Sequence, residues 1–158
     1  GKANRIPARS VIQEAIKALL DDGVEAIAIV GVFAPLVADQ EHYIRDIVHD
    51  CAPHIPVTCS SDIGGIGFVD RENGTIINAA LSIAITHTLG KIAHHIADCG
   101  IHAPIRISQN DGTLMDCATA LRFPVRMISA GPTNSAVCAA HRAGLDHCVI
   151  ADIGGTST

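Results

Sequence analysis

Apolar positions along this chain switch between a helical period and continuous runs, with glycines and prolines marking most changes. Val11, Ile12, Ala15, Ile16, Leu19 and Leu20 recur at helical spacing until Gly23, and Ser10 followed by Gln13 has the form of a capping box. The unbroken apolar run 26–33 predicts a buried strand. Asp39 then heads a helix with a stripe of Tyr43, Ile44, Ile47 and Val48, and Pro53 and Pro56 bracket a return to a short strand at 57–59. Glycine-rich 60–70 reads as a loop. A long helix follows over 75–98, with Leu81, Ile85, Leu89, Ile92 and Ile96 on one face and His87 and His94 on the other. Next come a strand at 105–108, a Gln109-Asn110-Asp111-Gly112 turn, a short helix around 114–121, and a strand at 125–128 after Pro124. A helix opened by Gly131-Pro132 and closed by Gly144 precedes a final strand at 148–152. This order predicts an α/β fold, a mainly parallel sheet of about five strands flanked by helices with right-handed crossovers.

Composition narrows that picture. Of 158 residues, 48% are hydrophobic but only 3% aromatic, so the core must be built from Ala, Ile, Val and Leu. A net charge of −5 with scattered basic residues leaves no electrostatic footprint for nucleic acid or an acidic membrane surface. Asn78, Thr86, His87, Lys91 and His94 interrupt the longest apolar region, which argues against a membrane span. The 6 cysteines lie far apart, in or beside apolar stretches, and are expected to act as small hydrophobes without disulfides. No signal peptide opens the sequence, and the compartment expected is the reducing cytoplasm. His87 and His94 are two helical turns apart, about 10 Å, too far to share a zinc ion bound at ~2 Å from each nitrogen. His49, Cys51 and His54 straddle a helix end and a proline, so no zinc is expected.

Three segments carry candidate chemistry. Asp152-Ile153-Gly154-Gly155-Thr156-Ser157-Thr158 follows the apolar run 148–151. Glycines there can turn with positive φ and bring N–H groups close to an anion, while the Thr and Ser hydroxyls add donors. Asp152 could hold Mg²⁺ through water, because a hard cation prefers oxygen ligands. The same residues also suit a strand followed by a plain Gly-Gly turn. The second segment is 129–135, where the first N–H groups of a helix, with Thr133, Asn134 and Ser135 beside them, suit a phosphate or a carboxylate. A well-capped structural helix would have the same sequence. The third, 108–113, lies just past a buried strand, where ligands of parallel sheets bind, and is equally an ordinary turn. A phosphate hairpin needs a return strand, and none follows Thr158, so the sequence reads as a fragment of a larger nucleotide-binding fold. The division expected is an α/β segment over 1–147 and the first half of a phosphate-binding hairpin over 148–158.

Taken together, QNDGTLM at 109–115, AGPTNSAVCAA at 130–140 and VIADIGGTST at 149–158 resemble the hydantoinase A/oxoprolinase family. So do GVEAIAIVGVFAP at 23–35 and Arg71-Glu72 followed by Asn78-Ala79. The family is similar to the actin, Hsp70 and sugar-kinase superfamily. The resemblance implies an enzyme that uses ATP and Mg²⁺ to open small cyclic amides such as hydantoins or 5-oxoproline. It implies that Asp152, Gly154, Gly155, Thr156, Ser157 and Thr158 hold phosphates and metal, with Gly131, Asn134 and Ser135 in the same cleft. It also implies a second hydantoinase subunit or a homo-oligomer as partner, and an isolated fragment that is inactive. The family's N-terminal Asp-Val-Gly-Gly-Thr motif is absent, and its Ser-Gly-Pro stands here as Ser129-Ala130-Gly131-Pro132. A ketone carboxylase subunit and a non-catalytic nucleotide-binding or scaffold module are the alternatives.

Overall fold

Helix α1 (Arg9–Asp21) forms because Ile12 and Ile16 fall on one face, and it stops where Gly23 takes a φ of +79°. The structure, a computed structural model, describes residues 6–145 and 147–155. Its chain falls into two compact units, Gly1–Ile85 and Thr86–Thr158.

In unit 1, β1 (Ile27–Ile29) pairs in parallel with β2 (Val57–Cys59), Ala28 opposite Thr58, and α2 (Asp39–Cys51) is the crossover between them. Ile27, Ile29 and Cys59 point to a core completed by Ile12, Ile16, Ile47, Val48, Ala52 and Ile55. Each such isoleucine contributes roughly 1.5–3 kcal/mol through burial. The other face of the pair meets α4 (Phe68–Asp98), where Asn78 Nδ2 donates to Thr58 Oγ1 at 3.1 Å. Ala26 and Ala28 line a groove of about 390 Å³ with Ile76, Ala79, Ala80 and Ile83 of the same helix. A short α3 (Ser60–Ile63) sits against α4 at Gly74, whose Cβ would come 3.2 Å from Ile63 Cγ2.

In unit 2, β3 (Arg106–Ser108) and β4 (Leu114–Asp116) form an antiparallel hairpin with Ile107 opposite Met115. Asp116 then caps α5 (Cys117–Arg122), accepting from Thr119 N at 2.7 Å. A 3₁₀ turn (Pro124–Met127) leads to α6 (Ala130–Ala143), which ends at Gly144 with φ +64°. Leu89, Met115, Ala120 and Pro124 are buried in this unit.

Several sequence expectations are corrected. The sheet of about five parallel strands is absent among the described residues, which hold one parallel pair and one antiparallel hairpin. At 109–113 the Asp-Gly signal makes a hairpin turn, so 114–116 returns as a strand and the helix waits for the Asp116 cap. At 125–128 a 3₁₀ turn replaces the strand because Pro124 fixes φ near −65° and removes an N–H donor. The segment 148–152 is exposed and unpaired; an apolar run becomes a strand only where a neighbour takes its main-chain bonds. Helix α4 begins at Phe68, since Gly67 O accepts from Arg71 N and closes a first turn inside the glycine-rich stretch. Ser10 is no cap: it lies inside α1, which starts at Arg9 with Ala8 in the cap position two residues before Ser10, and the Ala8 carbonyl accepts from Val11 and Ile12. Of the cysteines only Cys59 is buried, and Cys51, Cys99, Cys138 and Cys148 are exposed. Among the described residues α4 is long and apolar enough to cross a membrane, with a mean hydropathy of 1.3. Its buried Thr75, Asn78 and Ser82 are instead bonded to Arg71, Thr58 and Ala79 within unit 1.

Candidate functional site

The hairpin turn of unit 2 is shaped by its own side chains. Gln109 N donates to Thr113 O at 2.8 Å, and the Asp111 carboxylate accepts from Thr113 N at 2.9 Å and Thr113 Oγ1 at 2.7 Å. Those donors hold the Asp111 carboxyl below its usual range, the Thr113 hydroxyl first and its main-chain N–H next. Gly112 has φ +83°, and a Cβ there would lie 3.1 Å from Val137 Cγ2 and 3.7 Å from Thr133 Cγ2. A side chain at Gly112 would therefore push the turn off α6. Thr133 Oγ1 shares its proton between Asn110 O and Ser129 O, each at 3.1 Å, and Asn110 N donates to Arg126 O at 2.7 Å.

Two of the three candidate segments, 108–113 and 129–135, are thus packed together at the start of α6. Ser129 enters this helix with φ +60°, a left-handed conformation rare outside glycine and held here by its neighbours. Ala130, Gly131 and Pro132 form the first turn, so the proline is third rather than first, still where a helix has no N–H to lose. Gly131 and Ser135 are exposed and Asn134 is half-buried. A Cβ built on Gly131 meets nothing within 4 Å, so its main chain is open to approach.

Asp152, Gly154 and Gly155 are exposed and belong to no helix or strand, and Gly155 is likewise open. Thr156, Ser157 and Thr158 lie outside the described residues. Among the described residues no cluster of His, Cys, Asp and Glu of metal-binding size occurs.

The most connected polar cluster lies in unit 1, and sequence reasoning passed over it. Glu41, Ser60 and Arg71 are buried. Glu41 Oε1 accepts from Gly31 N at 2.6 Å and from the Ser60 hydroxyl, and Oε2 accepts from Ser61 N at 2.8 Å. Arg71 Nε donates to Ser60 Oγ at 3.0 Å. Its Nη1 donates to Gly65 O and Ile66 O at 3.1 and 3.3 Å, and its Nη2 to Gly31 O and Val32 O at 2.8 and 3.1 Å. Every guanidinium N–H thus has a neutral oxygen, and Ser60 relays between cation and anion. Burial alone would raise the Glu41 carboxyl, but the donors from Ser60, Ser61 and Gly31 outweigh it and hold it below its ordinary value. The available signal was spacing: Arg71, Thr75, Asn78 and Ser82 recur at helical intervals, a polar stripe that turned inward while Ile76, Ile77 and Ile83 stayed exposed.

Comparison with known proteins adds the following. The hydantoinase/oxoprolinase family model matches residues 71–158. Caprolactamase subunit alpha of Pseudomonas jessenii is 26% identical over 152 residues, covering 94% of this chain and 22% of that protein. The chain therefore spans under a quarter of that relative. The crystal structure of the ATP-dependent caprolactamase from Pseudomonas jessenii has a TM-score of 0.83 at 23% identity, covering 99% of this chain and 23% of that one. Nucleotide-free acetone carboxylase, solved in work on ATP-dependent acetone carboxylation, gives 0.70 at 21%, covering 86% and 20%. These structural likenesses establish a shared fold.

Proposed function

The chain belongs to the hydantoinase/oxoprolinase family, and we propose that it forms part of a longer ATP-dependent enzyme that opens a small cyclic amide. The observation that supports this reading is that the family match covers both the α6 start and the Asp152–Gly155 segment. The main chain at Gly131 and Gly155 is open, as a phosphate cradle requires. The donor set fits ATP and Mg²⁺: a carboxylate oxygen at Asp152, glycine N–H groups at 154 and 155, and hydroxyls at Thr156, Ser157 and Thr158. A hard cation shared with phosphates needs only one or two protein carboxylates, so a single Asp152 suffices. When bound, ATP supplies a transferable phosphoryl group, and Mg²⁺ neutralises its charge.

The chain's own share is positioning. Asp152 would hold the metal through water, and the glycines at 154 and 155 would offer N–H donors to phosphate oxygens. The α6 start, with Gly131, Asn134 and Ser135, offers further donors, and its contact with the 109–113 turn keeps it in place. A companion subunit fits the same reading, since the caprolactamase relative is itself named as a subunit.

The test is ATP hydrolysis by the longer protein with and without a lactam such as ε-caprolactam. Stimulation by the lactam is expected. The likeness to acetone carboxylase favours one second reading, a carboxylase. Turnover that requires bicarbonate and a ketone, with none from a lactam, would overturn the first reading in favour of the second.

A further inference from the structure

Among the described residues Ser129 is the one non-glycine with a positive φ, +60°, and it stands between the 3₁₀ turn and α6. A side chain in that conformation is strained, and such strain persists only where neighbours hold it. What holds it is a staple made by one residue of the hairpin turn. Asn110 N donates to Arg126 O at 2.7 Å, three residues before Ser129, and Asn110 O accepts from Thr133 Oγ1 at 3.1 Å, four residues after it. The same hydroxyl faces Ser129 O at 3.1 Å, and that carbonyl also accepts from Thr133 N at 3.3 Å. Beside them Gly112 lies so close to α6 that a Cβ would come 3.1 Å from Val137 Cγ2. A hydroxyl has one proton. With two carbonyls already competing for it, Thr133 has none left for a phosphate oxygen, although its place in the sequence pointed to such a donor.

We infer that Thr133 is a positioning residue: its hydroxyl, together with the main chain of Asn110, holds the left-handed Ser129 turn and so sets where α6 begins. Its part in presenting Gly131, Asn134 and Ser135 to a nucleotide rests on the function proposed above. A helix start fixed before binding needs no reorganisation when its N–H groups are used, which is the gain such a staple brings.

Thr133→Val removes the hydroxyl and keeps the shape, whereas Thr133→Ser keeps the hydroxyl. In the longer protein, hydrogen–deuterium exchange at amides 133–136 should quicken about fivefold in Thr133→Val, the effect of one lost hydrogen bond, and stay near wild type in Thr133→Ser. Adding Ser129→Gly to Thr133→Val should return the protection, because glycine takes a φ of +60° without strain. No quickening, equal quickening in both Thr133 variants, or no recovery with glycine would overturn the staple. The KM for ATP should rise about fivefold in Thr133→Val with kcat nearly unchanged, and Thr133→Ser should restore most of it. An unchanged KM beside quickened exchange would overturn the link to nucleotide binding. If the wild-type protein turns over no ATP, the proposed function fails and that link fails with it. The exchange result still decides whether Thr133 holds the turn.

Discussion

In unit 1, Glu41, Ser60 and Arg71 are buried and their bonds reach across the sequence, from Arg71 to Gly31 and from Ser61 to Glu41. In unit 2, Asp111 and Asp116 are exposed and bond to Thr113 and Thr119, a few positions away. The difference lies in what stands behind each bond. Water can replace a partner lost from the exposed turn, whereas a partner lost from the buried relay leaves a charge or carbonyl with nothing. Long-range buried polar bonds therefore set where loops go, and short-range exposed ones set local turn shape.

The largest effect that can break this contrast is Arg71→Ala. It strands Glu41 beside Ser60 and frees the carbonyls at 31, 32, 65 and 66, so a loss of about 3–5 kcal/mol is expected in urea unfolding of unit 1. A loss below about 1 kcal/mol would show that the relay is solvated like the turn. Next comes Gly112→Val, which forces a β-branched side chain into φ +83° and against Val137. A cost of about 1–3 kcal/mol is expected, confined to the hairpin and α6 by hydrogen exchange. Equal exchange changes in unit 1 would contradict a local role.

A pH titration of stability sharpens the comparison further. The folded Glu41 carboxyl lies below its ordinary value, so its contribution is fully present above the unfolded value of about 4.3. That contribution disappears as pH falls through the lower folded value. Glu41→Gln should flatten the acid limb of the stability curve. Asp111→Asn should flatten it less, since the Asp111 carboxyl is also held below its usual range but stands in water. The smallest effect concerns thiols. Burial, with the Glu41 charge adding to it, pushes Cys59 up to about 11. Cys59 should therefore react last with a disulfide reagent, after the exposed Cys51, Cys99, Cys138 and Cys148; early labelling of Cys59 would show that the core of unit 1 opens readily.

Much of unit 1 was legible because its core is apolar and periodic: Ile12, Ile16, Ile47 and Val48 are buried where their spacing places them. The relay was not, because Glu41 and Arg71 read as surface charges unless a polar stripe is allowed to face inward. In unit 2 the hairpin was hidden for a different reason. The Asp111-Gly112 turn is short-range information, but whether the chain returns as a strand or as a helix depends on the Asp116 cap and on pairing with 106–108. The expected strand at 148–152 depends on a partner the local sequence cannot specify. The helix start on which Gly131, Asn134 and Ser135 were placed stands at α6, which begins one residue before Gly131.

The assignment of the phosphate segment rests on Asp152, and magnesium-dependent ATP turnover by the longer protein carrying Asp152→Ala tests it most directly. An exposed side chain in an irregular segment contributes little to folding, so circular dichroism and thermal unfolding should match the wild type. Turnover is expected to be abolished. Undiminished magnesium-dependent turnover in a folded Asp152→Ala protein would contradict a metal- and phosphate-holding role for this segment.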